Sequence, residues 1–196
     1  MPGLDIVPAA REHNDSIREI YNIEVRRSHA TLDIEPRTVM EQGQWLAEHD
    51  ERCPVFVGLL NGVVIGYGAL SQYQRTSGYR FAIEDSVYVH QAERGRGFGR
   101  LLLERLLHSA TNLGYHTVLA RLVAGHDPAV GLHESFGYRQ VSHEREVAFK
   151  FDRWLDVVTM QLILPARPAS RPQSIKQWET AESTAPTETP VQLPAN

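Results

Sequence analysis

The order of hydrophobic and polar residues predicts secondary structure most clearly between Ser86 and Leu107. Val87 and Val89 alternate with more polar neighbours, which is typical of a strand. Farther along, hydrophobic residues recur every three or four positions and predict a helix, namely Leu102, Leu103, Leu106, Leu107 and Ala110. Three glycines separate the two patterns, at positions 95, 97 and 99. The stretch therefore predicts a strand that enters a helix through a glycine-rich turn.

The same reasoning divides the chain before residue 165 into strands and helices. Hydrophobic runs predict strands over residues 4–7, 54–60, 63–70, 81–90, 116–123, 138–150 and 154–164. Helical periodicity predicts further helices over residues 14–27, 38–49 and 127–136. Asn61 and Gly62 predict a two-residue hairpin turn, and Thr38 followed by Glu41 predicts a capping box. This order of elements predicts an α+β fold in which a mixed sheet is covered by helices on both faces.

The composition changes at residue 165. More than half of the 11 prolines fall in residues 165–196, together with many Ser, Thr, Glu and Gln residues. Such a stretch has too few hydrophobic side chains to offset the conformational entropy that is lost on folding. We therefore predict one folded domain over residues 1–164 and a proline-rich, disordered tail over residues 165–196.

Charge and cysteine content narrow the classes of function. The formal net charge is −4, whereas nucleic-acid-binding proteins usually carry a basic excess. No hydrophobic run approaches the roughly 20 residues that span a bilayer, and the first residues lack the pattern of a signal peptide. The single cysteine, Cys53, fits a reducing cytoplasm. The nine histidines show no spacing typical of a metal site, so we expect no metal.

The glycine-rich turn suits a phosphate, because the first turn of a helix presents unpaired backbone N–H groups. Arg94, Arg96 and Arg100 add positive charge there. A dinucleotide fingerprint, GxGxxG, does not fit because the third glycine comes one residue early, and a Walker A loop has no match. The spacing that remains is Arg-x-x-Gly-x-Gly, formed by Arg94, Gly97 and Gly99. An ordinary glycine-rich turn stays open as the alternative.

This spacing is typical of the GNAT superfamily of acyl-CoA-dependent N-acetyltransferases. More specifically, the chain resembles the branch that contains phosphinothricin and methionine sulfoximine acetyltransferases. The resembling stretches are IYN (20–22), GYG (66–68), GYR (78–80), SVYVH (86–90) preceded by Glu84, HDPAVGLHESFGY (126–138) and KFDRWLDVVTMQL (150–162). The resemblance covers most of residues 4–164. It implies a GNAT-type fold of αβα layers with a mixed, mostly antiparallel sheet of about seven strands.

The resemblance implies acetyl transfer from acetyl-CoA and assigns roles to particular residues. Glu84 takes the place of the catalytic base, and His133 takes the place of the acid that protonates the thiolate. The alternatives are a solvated strand-end glutamate and a histidine that merely packs on a short helix. The residues implied to bind acetyl-CoA are Val87, Tyr88, Val89, Arg94, Gly95, Arg96, Gly97, Phe98, Gly99, Arg100 and His126. At His126 relatives commonly carry asparagine, and we expect the imidazole to keep the hydrogen bond to acetyl-CoA.

The resemblance also implies the substrate class and the assembly. It implies a small amino acid or analogue as substrate, direct transfer in a ternary complex, and a homodimer. The expected substrate contacts are Arg75, Thr76, Arg80, Asp85 and Ser86. Guanidinium groups bind carboxylates through two hydrogen bonds, so Arg75 and Arg80 are the expected partners of the substrate carboxylate, with ordinary surface arginines as the alternative. Specificity is expected in the loops around Ser28 and Tyr73, which depart most from the resembling branch. Two alternatives stay open: a GNAT enzyme for another amine, such as a peptide N-terminus or a polyamine, and a non-catalytic acyl-CoA-binding module.

Overall fold

The computed structural model describes residues 3–165, and the tail predicted beyond residue 165 lies outside the described part of the chain. The described residues form a seven-stranded sheet in the order β1-β2-β3-β4-β5-β7-β6. The strands are β1 (Leu4–Pro8), β2 (Val55–Leu60), β3 (Val63–Gln72), β4 (Ala82–Val89), β5 (Thr117–Val123), β6 (Arg139–Lys150) and β7 (Arg153–Ile163). The helices are α1 (Asn14–Arg27), α2 (Val39–Ala47), α3 (Phe98–Asn112) and α4 (Asp127–Glu134). Strands β4 and β5 are parallel and the other neighbours are antiparallel, which confirms the predicted α+β fold with a mixed, mostly antiparallel sheet.

Local signals in the sequence account for two of the boundaries. Asn61 and Gly62 have φ angles of 50° and 81°, as the predicted two-residue turn between β2 and β3 requires. The Thr38 side chain accepts a hydrogen bond from the backbone N–H of Glu41, and the Glu41 carboxylate accepts one from the backbone N–H of Thr38. This capping box begins α2 at Val39, as predicted.

Several other boundaries differ from the prediction by one or more residues, and two of these differences have a clear physical reason. Strand β3 continues to Gln72, because its last residues pair with Glu84 and Ile83 of β4 and tertiary pairing overrides their polar character. Helix α4 ends at Glu134, two residues before the predicted end. Gly137 then adopts a φ angle of 88° and redirects the chain into β6.

Helices cover both faces of the sheet, and alternation along the strands divides the hydrophobic core in two. On one face, Val55 and Val57 of β2 pack with Ile17 and Tyr21 of α1. On the other face, Phe56 of the same strand packs in a cluster that includes Leu106, Ala110, Val118 and Met160. These opposite faces give the αβα layers. No helix within residues 3–165 is long and apolar enough to cross a membrane.

Helix α3 lies very close to β3 at the GYG stretch. A Cβ atom at Gly68 would lie 2.8 Å from a methyl carbon of Leu106 in α3. A Cβ atom at Gly66 would lie 2.8 Å from the carbonyl oxygen of Tyr88 in β4. A larger residue at Gly66 would collide with backbone, and one at Gly68 would displace the Leu106 side chain, so the two glycines let the helix that follows the glycine-rich turn pack closely on the sheet.

The parallel pair β4 and β5 is short, and it positions the candidate site. Its pairing covers Ala82–Glu84 and Thr117–Leu119, whereas β4 continues to Val89 and β5 continues to Val123. The two strands therefore diverge beyond Glu84. The space that opens between their carboxyl ends is bordered by α4 and by the glycine-rich turn.

Candidate active site

A cavity of about 140 Å³ opens where β4 and β5 diverge, and we call it the Glu84 cavity because Glu84 forms part of its wall. The Glu84 side chain is partly buried. Burial raises the pKa of its carboxyl group, while the positive charge of Arg121 opposes this rise and the charge of Asp85 adds to it. A carboxylate with a raised pKa is suited to accept a proton near neutral pH. The predicted base therefore lies in a cavity and is not a fully solvated strand-end residue.

A second cavity, of about 380 Å³, adjoins the first and extends to the glycine-rich turn; we call it the groove. Most of the predicted acetyl-CoA contacts line the groove: Val87, Tyr88, Val89, Arg94, Gly95, Gly97, Phe98, Gly99, Arg100 and His126. Arg96 does not line it. The groove and the Glu84 cavity share wall residues, namely Ala30, Val87, Tyr88, His126, Ala129 and Leu132. A ligand that fills the groove therefore reaches the cavity that contains Glu84.

The glycines give the turn a backbone conformation that other residues rarely adopt. Gly95 and Gly97 have φ angles of 74° and 85°, in the left-handed region that favours glycine. Gly97 is also the N-cap of α3, and it has no side chain to bond the first N–H groups of the helix. A Cβ atom at Gly97 would meet no heavy atom within 4 Å, so the space before the helix is open. Such a helix start suits a phosphate group.

The three arginines of the turn already have partners within the chain. The pairs are Arg94 with Glu24 of α1, Arg96 with Glu93, and Arg100 with the hydroxyl group of Ser135. Arg94 also donates to the carbonyl oxygen of Val89 at 3.1 Å. These contacts stiffen the turn, and Arg94 and Arg100 bring positive charge to the groove that they line.

His126 borders both cavities and has an unused ring nitrogen. It is the N-cap residue of α4. Its Nδ1 atom is shielded from solvent and has no hydrogen-bond partner within residues 3–165. Because buried polar atoms nearly always have a partner, an unpaired one beside a cavity is available to a ligand. This position suits the predicted hydrogen bond from His126 to acetyl-CoA.

His133 belongs to a buried network. Its Nε2 atom lies 2.9 Å from one carboxylate oxygen of Asp85, and its Nδ1 atom lies 2.8 Å from the carbonyl oxygen of Ala129. The hydroxyl group of Tyr138 donates to the other oxygen of Asp85 at 2.6 Å. Burial lowers the pKa of His133, but the hydrogen bond and charge of Asp85 outweigh it, so the pKa is raised. With an acceptor at each ring nitrogen, the network favours the doubly protonated imidazolium.

This network bears on two predicted roles. His133 lines the Glu84 cavity, and both of its ring nitrogens have partners within the described residues, so the transfer of a proton from His133 to a thiolate stays a prediction. Asp85 also lines the Glu84 cavity, but its side chain is 0% exposed and both of its oxygens are bonded within the network, so its contact with a substrate stays a prediction. Both residues join α4 to β4.

A third cavity, of about 220 Å³, also contains Glu84 and is lined on one side by residues 30–33; we call it the loop cavity. The hydroxyl group of Tyr21 donates to Asp33 at 2.5 Å and lies 2.8 Å from the hydroxyl group of Thr31. Lys150 donates to the carbonyl oxygen of Thr31 at 2.7 Å. The loop after Ser28, one of the two expected specificity loops, is thus fixed beside Glu84.

The other predicted substrate contacts are only partly brought to these cavities. Ser86 lines the Glu84 cavity. Arg75, Thr76 and Arg80 line none of the three cavities. The first two are exposed, and Arg80 donates to a carbonyl oxygen of its own loop at 3.2 Å. Within residues 3–165 no group of three or more His, Cys, Asp or Glu residues is arranged to hold a metal ion.

Arg121 was not among the residues predicted from the sequence, yet it lines both the Glu84 cavity and the loop cavity. Two signals in the sequence point to it. A strand–helix–strand unit normally makes its two strands parallel neighbours, which places β5 beside β4. Side chains alternate along a strand, so Arg121 lies on the same face as Leu119, the residue that pairs with Glu84.

Comparison with known proteins gives one family and one fold. The family described as Acetyltransferase (GNAT) family matches residues 15–138. The L-methionine sulfoximine/L-methionine sulfone acetyltransferase of Salmonella typhimurium is 36% identical over 154 residues, which cover 76% of this chain and 88% of that protein. The phosphinothricin N-acetyltransferase of Streptomyces coelicolor is 32% identical over 164 residues, which cover 80% and 96%. The crystal structure of a GNAT superfamily phosphinothricin acetyltransferase from Sinorhizobium meliloti in complex with acetyl-CoA superposes with a TM-score of 0.80 at 29% identity, covering 87% of this chain and 96% of that chain.

Proposed function

The chain belongs to the acetyltransferase (GNAT) family, and we propose that it transfers the acetyl group of acetyl-CoA to the free amine of a small amino acid or amino-acid analogue. One observation carries this proposal. The groove at the glycine-rich turn and the Glu84 cavity share a wall where β4 and β5 diverge. A thioester in the groove is thereby close to an amine beside Glu84, as direct transfer in a ternary complex requires.

Acetyl-CoA occupies the groove with its pyrophosphate at the N-terminus of α3. The left-handed backbone of Gly95 and Gly97 and the charges of Arg94 and Arg100 support this placement. Phe98 is only 2% exposed, so it contributes its backbone N–H group. The pantetheine arm runs along Val87–Val89, where β4 has left β5 and backbone N–H groups are available to polarise the thioester carbonyl group.

Glu84 acts as the general base. It accepts a proton from the substrate ammonium group, directly or through a water molecule. The neutral amine attacks the carbonyl carbon of the thioester and forms the new C–N bond. The C–S bond then breaks, the nitrogen loses its extra proton to give the amide, and CoA leaves as a thiolate that takes up one proton, so that the charges balance. The partial burial of Glu84 favours this role because it raises the pKa of the carboxyl group from its usual value towards the pH of the reaction medium.

Two histidines at α4 take different roles. His126, with its unpaired nitrogen at the shared wall, donates a hydrogen bond to acetyl-CoA. His133, which lines the Glu84 cavity, positions α4 against β4 through its hydrogen bond with Asp85. This role differs from the expectation that His133 protonates the thiolate, which stays a prediction.

The proposed substrate class rests on the relatives and on charge. The Salmonella relative is named for methionine sulfoximine and methionine sulfone, and the Streptomyces relative for phosphinothricin. The loop cavity combines the carboxylates of Asp33 and Glu84 with the guanidinium group of Arg121. An amino acid carries both signs of charge and can match the carboxylates and the guanidinium group together, whereas a polyamine offers no partner for Arg121. A module that only binds acyl-CoA has no use for a carboxylate with a raised pKa in a cavity.

We also propose that the chain forms a homodimer and works in the cytoplasm. Strand β6 lies at one edge of the sheet. Large hydrophobic side chains on β6, β7 and their turn are exposed: Val141, Val147, Phe149, Phe151 and Trp154. An edge strand with such a patch is typical of an interaction surface. The single cysteine, Cys53, is a free thiol, as suits a reducing compartment.

The release of free CoA from acetyl-CoA by the purified protein tests the proposed function. The panel contains the common amino acids, phosphinothricin, methionine sulfoximine, spermidine and a short peptide with a free N-terminus. We expect release with one or more free amino acids or analogues, and an N-acetylated product by mass spectrometry. Release with spermidine or the peptide alone would show a different amine substrate. Binding of acetyl-CoA without release for any amine would show a non-catalytic module.

A further inference from the structure

Arg121 of β5 lines two cavities together with Glu84, whereas the predicted substrate arginines, Arg75 and Arg80, line none of the three. Glu84 pairs with Leu119 in the parallel register, and Arg121 is two residues farther along the same face of β5. From standard strand spacings, the Cα atoms of Glu84 and Arg121 are about 8 Å apart. Both side chains line the Glu84 cavity and the loop cavity. A molecule the size of an amino acid therefore fits between a carboxylate and a guanidinium group.

The guanidinium group of Arg121 is loosely held. Its single hydrogen bond within residues 3–165 joins Nη2 to Oε2 of Glu144 at 3.3 Å. The two side chains are 46% and 40% exposed, and exposed ion pairs of this kind are weak. A guanidinium group has five N–H donors and binds a carboxylate best through two of them. Arg121 therefore has N–H donors that can bind a further carboxylate, either together with Glu144 or in its place.

The charges of the loop cavity match a zwitterion. The charged side chains that line it are Asp33, Glu84 and Arg121. The reaction requires the substrate amine at Glu84, and the carboxylate of an α-amino acid is attached to the carbon that bears the amine. With the amine at Glu84, the substrate carboxylate lies near Arg121, which is the one cationic side chain that lines the loop cavity. Arg75 and Arg80, which the sequence favoured for this role, lie outside the three cavities.

Resting on the proposed function, we propose that Arg121 binds the α-carboxylate of the amino-acid substrate, and that this carboxylate replaces Glu144 as the partner of Arg121. Arg121 is then a specificity-determining residue. It selects amino acids over amines that lack a carboxylate, and it orients the amine towards Glu84. Glu144 competes with the substrate for Arg121 in the free enzyme.

The test compares two substrates that differ only in the charge of this group, L-methionine sulfone and its carboxamide. The KM of each is measured for the wild type and for Arg121→Gln, with acetyl-CoA saturating. We expect the substitution to raise the KM of the free acid about 10-fold or more and to change the KM of the amide less than about 2-fold. The assay is run near pH 8.5, because loss of the Arg121 charge raises the pKa of Glu84 and the base has to stay ionised.

Two further variants test the competition by Glu144 and provide a matched control. Glu144→Gln removes the competing carboxylate, and we expect it to lower the KM of the free acid and to leave that of the amide unchanged. Arg145→Gln removes an exposed arginine of the same hairpin that lines none of the three cavities, and it serves as the matched control with both KM values unchanged. Acetyl-CoA affinity by calorimetry shows that each variant keeps its fold and its groove.

The outcomes separate this inference from the proposed function. A wild type that prefers the acid, with the preference lost in Arg121→Gln, supports the assignment. A preference that persists in Arg121→Gln overturns the assignment, and so does an equal rise in KM for acid and amide; in both cases the enzyme still acetylates amines and the proposed function stands. A wild type that acetylates neither compound nor any other amine overturns the proposed function, and the role of Arg121 falls with it.

Discussion

At the scale of single residues, Glu84 meets two opposing requirements. It has to be buried enough for its carboxyl group to titrate above the usual range, and open enough to meet an amine. The last paired position of a parallel strand pair satisfies both, because one side is covered by β5 and the other opens into the space between the diverging strands. The positive charge of the nearby Arg121 opposes this rise of the pKa and so favours the ionised form of the base.

We therefore expect Glu84→Gln to lower kcat by about 100-fold or more, a typical contribution of a positioned general base, with acetyl-CoA affinity unchanged. In the wild type, the rate should rise with pH as the Glu84 carboxyl group loses its proton, in a limb above the ordinary carboxyl range because its pKa is raised. The variant should lack this limb. Glu104→Gln, an exposed position on α3, is the control. A variant that keeps its rate would remove Glu84 as the base.

The network of Asp85, His133 and Tyr138 makes stability depend on pH. The pKa of His133 is raised in the folded protein. Protonation therefore stabilises the fold fully below the unfolded pKa of about 6.5, and this contribution is lost as the pH rises through the higher folded value. Breaking a buried pair of this kind costs about 3 kcal/mol. We expect His133→Gln to lower the free energy of unfolding, with a larger deficit at pH 6 than at pH 9.

Urea unfolding of the wild type and the variant across this pH range measures the difference directly. His108→Gln provides the control, because His108 is exposed on α3. A deficit for His133→Gln that is the same at every pH would show that the charge of His133 does not stabilise the fold.

Whether the position of a residue in the site could be predicted from the sequence depends on how far away its partners lie in the chain. Gly95, Gly97 and Arg94 lie within one turn, so a local spacing was enough to place them at the groove. Asp85 meets partners 48 and 53 residues away, which no local pattern shows. Alternation along β4 could still have shown that the two side chains have different surroundings. Asp85 and Glu84 are neighbours in a strand, so they point to opposite faces of the sheet.

At the scale of elements, the turn between β4 and α3 joins the sheet to the proposed phosphate site. Its geometry depends on backbone conformation, because Gly97 has a φ angle of 85° and caps the helix without a side chain. A side chain there would occupy the open space in front of the first N–H groups, and a carboxylate would repel a phosphate.

We therefore expect Gly97→Asp to weaken CoA binding at least about 10-fold, as measured by calorimetry. Gly114→Asp is a matched control, because Gly114 lies just past the other end of the same helix, has a φ angle of 83° and also borders open space. The backbone strain is then alike in both variants, and only the first affects the groove. Equal CoA affinities in the two variants would contradict the phosphate assignment.

Element boundaries show which part of the fold is encoded locally. The capping box at Thr38 and the turn at Asn61 and Gly62 were predictable because a few adjacent residues determine them. The extension of β3 to Gln72 was not, because it depends on pairing with Ile83 of β4. The order of strands in the sheet, with β7 between β5 and β6, likewise depends on long-range pairing and was not predicted.

At the scale of the whole molecule, the sheet has two edges of different character. Strand β1 forms one edge with five residues, whereas β6 forms the other with 12. The long edge strand carries exposed Val141, Val147 and Phe149, and Phe149 pairs with the exposed Trp154 of β7. A long, exposed and hydrophobic edge strand is a liability in a monomer unless another surface covers it.

We expect the wild type to sediment as a dimer at micromolar concentration, and Phe149→Asp to shift it to a monomer. The Phe149 side chain is 52% exposed within one chain, so the charged substitution should leave the fold of each chain intact while burying an unpaired charge in the dimer. Met40→Asp introduces the same charge on α2, where the side chain is 79% exposed, and it should leave the dimer unchanged. Analytical ultracentrifugation distinguishes the two. A monomeric wild type, or equal dissociation in both variants, would place the proposed interface elsewhere or remove it.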